Sequence, residues 1–264
     1  VSIVRKNHGT GHSYYIDGKK VDGVTTLLSE GTPSGGLVPW AAACVAERVA
    51  DMAIEELDQL YDLGRDAMIA DLKRTYITKR QKLAVRGTKV HALAEKLIRG
   101  EPVAVEDEDE VLYGHALSAV KFMDDWRVTP LLSEQPIGSR AWAYGGTFDL
   151  IGDISGLVGA PRRALIDYKT GLRKPHWRTA LQLAAYRWAD CYVAGDGTEI
   201  PMSEVGIEDT YVVQLRDDGY DCYPVDTGPN VYAAFLHVAY VARETRTADA
   251  WIGEPTVIEK AAAA

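Results

Sequence analysis

Cysteine is scarce and long apolar runs are missing. Cys44, Cys191 and Cys222 are the only three thiols in 264 residues, and no two form a CxxC pair. A disulfide framework is excluded, a reducing compartment is expected, and no iron–sulfur cluster is, because that would need four thiolates. No stretch approaches the roughly 20 apolar residues of a membrane span, and no signal-like segment opens the chain, so a cytoplasmic location and no membrane partner are expected. Positive charge is also in short supply. Lys and Arg number 29 against 38 Asp and Glu, a net charge of −9. Taken whole, that argues against a non-specific nucleic-acid binder. The closing alanines, residues 261–264, read as an appended remnant outside the fold.

The chain has 47% hydrophobic residues. That is enough for one large domain, or a core with a smaller appendage. Charge is uneven. Residues 106–110 are all acidic and read as a solvated loop. Residues 162–187 hold seven Lys or Arg against the single acid Asp167, which points to a polyanion held at one place.

Asp17-Gly18 between two β-prone runs predicts a type I′ hairpin. Helical periodicity then runs from 39 to 99, broken near Leu63-Gly64 and Arg86-Gly87, and returns over 109–126. Beyond Pro130 the character changes. Residues 131–137, 141–154 and 164–168 read as strands, 179–193 as a helix, 209–215 and 220–225 as strands, and 231–251 as a helix. This order predicts an α/β chain, with a mostly antiparallel sheet flanked by helices and a helical N-terminal part.

The chemistry gathers in "ALIDYKTG", residues 164–171. Alternation on a strand puts Asp167 and Lys169 on one face and Tyr168 on the other. Asp149, in "YGGTFDLIGDI", is as far from Val158 as Asp167 is, so a simple hairpin sets the two acids opposite each other. Facing carboxylates repel, and a divalent cation removes the conflict. Hard oxygen ligands favour Mg²⁺ or Mn²⁺. Such a metal with a lysine point charge suits phosphodiester hydrolysis. A cross-strand ion pair explains Asp167 and Lys169 taken alone.

"RGTKVHALAE", "GTFDLIGDI", "LIDYKTG" and "LQLAAY" occur in that order. Together they resemble the RecB-like branch of the PD-(D/E)xK nucleases over about residues 86–193. "GVTTLL" followed by "LVPWAA" resembles phage exonucleases and the mitochondrial genome maintenance exonuclease. The proline–aspartate of the wider superfamily is Phe148-Asp149 here. The resemblance implies a restriction-endonuclease-like fold, with residues 86–260 as the nuclease core and residues 1–85 covering the cleft. It also implies metal ligands at Asp149, Asp167, His91 and the Tyr168 carbonyl, and a catalytic lysine at Lys169. Gln182 and Tyr186 would support the site or touch DNA. The implied activity is a metal-dependent DNA exonuclease acting on single-stranded or frayed ends. It would work beside recombination or replication proteins, in a bacterial or phage-infected cytoplasm. A structure-specific endonuclease with the same residues, or a non-catalytic DNA-binding module, are the alternatives.

Each residue has a plainer reading. His91 fits an ordinary helix histidine, Gln182 a capping box with Thr179, and Tyr186 a core tyrosine. Arg173, Lys174, His176 and Arg178 would hold the DNA backbone, with Trp177 stacking on a base; a solvated basic loop is the alternative. Arg86 and Lys89, beside Gly87, would reach the same phosphates. His8 and His12 are a weak metal signal in an N-terminal loop.

Overall fold

The computed structural model describes residues 2–9, 11–33, 37–98, 101, 110–170 and 174–255. The N-terminal half contains β1 (Ile3–His8), β2 (Gly11–Ile16), β3 (Lys19–Gly23), α1 (Val24–Gly31), α2 (Leu37–Asp51), α3 (Ile54–Asp62), α4 (Arg65–Ile98) and α5 (Glu110–Asp125). Five strands follow: β4 (Val128–Ser133), β5 (Pro136–Ser139), β6 (Tyr144–Thr147), β7 (Leu150–Ile154) and β8 (Arg162–Lys169). Then come α6 (Arg178–Arg187), β9 (Cys191–Val193), β10 (Glu199–Pro201), α7 (Met202–Val205), β11 (Asp209–Leu215), β12 (Tyr220–Pro224) and α8 (Pro229–Thr245).

The chain is α/β, with two mixed sheets. One has seven strands in the order β1-β2-β3-β6-β5-β9-β10, the other five in the order β12-β11-β8-β7-β4. The pairings are antiparallel except β8 with β11 and β3 with β6. The first hairpin is as expected: Ile16 pairs with Lys19, and Asp17 and Gly18 have φ of 51° and 79°, the positive values a type I′ turn requires. His8 and His12 lie on the paired strands β1 and β2, not in a loop.

β8 is buried on both faces, so its apolar run is nearly continuous. Ala164, Ile166 and Tyr168 face a core built with Val90 and Ala94 of α4 and Phe122 of α5. Leu165 faces a second core with Leu183 of α6 and Phe235 of α8. Asp167 and Lys169 continue that second face past its apolar part.

Several expected boundaries move. The 131–137 and 141–154 strands each divide in two, because this ribbon changes sheets. β4 and β7 belong to the five-stranded sheet, β5 and β6 to the seven-stranded one. The crossings are Glu134-Gln135 and Phe148-Asp149. They are bridged by main-chain bonds from Glu134 N–H to the Asp149 carbonyl (3.0 Å) and from Phe148 N–H to the Gln135 carbonyl (3.4 Å). The 179–193 helix stops at Arg187, and Cys191–Val193 is a strand. α4 runs through Gly87 unbroken, so position 85 lies inside a helix. A helical glycine costs about 1 kcal/mol relative to alanine, which one site in a 34-residue helix tolerates. The described residues include no helix long and apolar enough to cross a membrane.

Candidate active site

The fork between the two sheets is a cleft of about 390 Å³. Its lining includes His91, Glu134, Asp149, Asp167, Lys169, Gln182 and Tyr186. Two strand ends and two helices deliver them. The β7–β8 pairing matches Leu150 with Ile166 and has no bulge. Continued by one residue, that register sets Asp149 opposite Asp167. Phe148, fully buried beside Tyr192, anchors the crossing from which Asp149 projects.

The Tyr168 backbone ties the site together. Its N–H donates to Asp149 Oδ2 at 2.8 Å, and its carbonyl lies 3.0 Å from His91 Nε2. His91 Nδ1 is 3.5 Å from the same Asp149 oxygen. The Tyr168 ring points away, packed edge-on to Phe122 with its hydroxyl toward Met123 Sδ.

Asp167 is 1% exposed. Lys169 Nζ is 2.6 Å from its Oδ2, and Gln182 Nε2 donates to its Oδ1 at 3.2 Å. Burial raises the Asp167 pKa, Lys169 opposes the rise, and Asp149 adds to it. Burial also works against the Lys169 charge, but Asp167 and Asp149 outweigh it and its pKa is raised. Despite the ion pair, Asp167 Oδ2 accepts no well-aligned hydrogen bond. The Lys169 ammonium is the cation that offsets the charge on this buried oxygen.

Sequence reading missed Glu134. Among the described residues, His91, Glu134 and Asp149 offer ligand atoms that all lie within 4.8 Å of one another. Glu134 has φ of 52°, an uncommon value for a non-glycine residue, and marks the crossing between sheets. Burial and then the Asp149 charge push its carboxyl up to about 7. Three carboxylates, a histidine and a backbone carbonyl lining one cleft are a donor set suited to a hard divalent ion.

The support residues are also explained. The N-cap of α6 is Trp177, so Thr179 cannot make a capping box with Gln182. Gln182 instead bridges Asp167 and the Tyr186 hydroxyl, at 3.2 and 3.1 Å. The Tyr186 ring packs so tightly on β6 that a Cβ at Gly146 would lie 2.5 Å from it.

The basic residues gather less well. Arg86 reaches His115 of α5 at 3.3 Å, and Arg86 and Lys89 line a separate groove with Val111 and Leu112. They occupy the side of α4 opposite Gly87, Thr88 and His91, which line the cleft. Arg178 donates to the Pro33 carbonyl, and Lys174 sits over the Tyr223 ring. His176 and Trp177 are exposed neighbours, ring centroids 5.2 Å apart. Arg173 lies outside the described residues. Arg162 pairs with Asp209, and Arg163 with Asp153. Two of the seven basic residues of the run, Arg162 and Arg163, are thus paired with acids from neighbouring strands. Trp40 packs on Tyr76 of α4, away from the cleft lining.

No family model and no curated protein matches the sequence.

Proposed function

We propose that the cleft hydrolyses phosphodiester bonds with the help of a divalent metal. The observation that carries this reading is the convergence of Asp149, Asp167, Lys169 and the Tyr168 carbonyl with His91 at the end of one strand. More particularly, we infer a DNA exonuclease of the RecB-like group, acting on single-stranded or frayed ends. The placement of β8 between antiparallel β7 and parallel β11 supports the restriction-endonuclease-like reading of the five-stranded sheet.

Asp149, Asp167, the Tyr168 carbonyl and His91 would hold Mg²⁺ or Mn²⁺, with Glu134 beside them. When bound, the ion lowers the pKa of a water and offsets charge developing on the phosphate. Lys169 keeps its proton and orients the attacking water or a phosphate oxygen. Its raised pKa argues against a role as base. Gln182 fixes the Asp167 carboxylate, with its amide held by the Tyr186 hydroxyl.

The test is degradation of linear and closed circular DNA with Mg²⁺ or Mn²⁺. Loss of the linear form alone is expected. Equal cutting of the circle would instead support an endonuclease, and no cutting with retained DNA binding a non-catalytic module.

A further inference from the structure

The middle of α4 is strongly one-sided in charge. Residues 72–91 hold seven Lys or Arg and no acid, in a protein of net charge −9. A solvated helix gains from opposite charges three or four residues apart, and like charges at that spacing weaken it. Lys82 and Arg86 are such a like pair. Helix stability therefore does not account for this run.

Helical spacing sorts the run into sides. Lys73, Ile77, Arg80, Ala84, Gly87 and His91 follow one another in steps of four and three, so they form one stripe along the unbroken helix. At one end of it, Gly87 and His91 line the cleft. The other four residues are exposed. α2 packs on a different side of α4, where Trp40 meets Tyr76, Arg48 reaches Asp71 and Thr75, and Glu47 pairs with Lys79. Among the described residues, Lys73 and Arg80 form no ion pair. The stripe is open positive surface that runs directly into the cleft. From His91 to Lys73 it spans about 27 Å at roughly 1.5 Å per residue.

We propose that this face of α4 carries the body of a single DNA strand, with its phosphates on Arg80 and Lys73 and its reacting bond in the cleft beyond Gly87. This rests on the phosphodiester reading above and adds how much of the strand is held. Charge complementarity and continuity with the cleft favour a nucleic-acid strand over an acidic protein. A stacked strand advances about 3.4 Å per nucleotide, so about eight nucleotides cover the stripe.

The experiment is fluorescence anisotropy of oligothymidylates of about 4, 8 and 16 nucleotides, the range of common single-strand site sizes, in the presence of a chelator. Wild-type affinity should rise from the shortest to the middle length and then change little. Lys73→Gln combined with Arg80→Gln should weaken binding of the middle length about tenfold. It should also flatten the slope of log affinity against log salt by about 1.4, at roughly 0.7 per phosphate contact. The shortest strand should bind as before. Lys82→Gln, on the other side of the helix, should change neither quantity. Affinity independent of length overturns the proposal without any variant. So does unchanged binding by the double variant, its fold checked by thermal melting, or an equal loss in Lys82→Gln. A polyglutamate peptide that binds through Lys73 and Arg80 where the oligothymidylates do not would give the face to an acidic protein and overturn it too. DNA binding without this length dependence defeats the inference alone, whereas no DNA binding at all defeats the nuclease reading with it.

Discussion

The two sheets meet at one cleft and bring it different things. The five-stranded sheet contributes Asp167 and Lys169 from its central strand, with the backbone of Tyr168 between them engaged by Asp149 and His91. The seven-stranded sheet contributes Arg5, His12, Tyr14 and Thr147, whose hydrogen-bonding capacity is only partly used. One side carries the crowded carboxylates and their lysine; the other carries polar side chains with fewer partners. Asp167 is sealed beneath α6, while Arg5 stays 29% exposed on a hairpin near the start of the chain.

That contrast breaks most sharply at Lys169. Lys169→Ala should lower single-turnover cleavage by about 10³-fold, the scale of losing one preorganised charge at a reacting phosphate, with oligonucleotide affinity nearly unchanged. A matching loss of affinity would make Lys169 a binding residue. Next comes Glu134→Gln, at the crossing itself. Calorimetry should show Mn²⁺ affinity falling by about 10- to 100-fold. Unchanged affinity would leave Glu134 as a neighbour of the metal group and not a part of it.

Gly146→Ala tests whether the seven-stranded sheet positions the reacting side through Tyr186. Overpacking of this kind costs about 1–3 kcal/mol, or about 2–4 °C of melting temperature per kcal/mol in a chain of this size. Cleavage should fall with it, because Tyr186 holds Gln182 and Gln182 holds Asp167. The smallest effect is a pH dependence. The folded chain holds a proton on Glu134 up to about pH 7, above the usual carboxylate range near 4.5. Its contribution to stability is therefore lost as pH rises through that interval. Without metal, the melting temperature of the wild type relative to Glu134→Gln should decline from about pH 4.5 to 7. Mn²⁺ should reverse the decline, since it favours the deprotonated ligands.

The grouping of Asp149, Asp167 and Lys169 was largely legible in the sequence. Alternation placed Asp167 and Lys169 together, and counting from Val158 gave the register that sets Asp149 against Asp167. Both depend only on short-range periodicity. The crossing at Glu134 was not legible, because a glutamate in a left-handed conformation leaves no local signal. Neither was the unbroken α4, where tertiary packing overrides the low helix propensity of Gly87. The partners of the run over residues 162–187 were not legible either. Charge counted along the chain ignores acids such as Asp153 and Asp209, which only folding brings alongside.

Tyr168 carries a consequence for how this protein tolerates change. Its ring is locked among Phe122 and Met123, yet its own N–H and carbonyl face Asp149 and His91. A slip in the packing of that ring is a rotation of those two groups. Errors made deep in the apolar interior would then surface twice, as a lower melting temperature and as a misalignment of the Asp149 and His91 contacts.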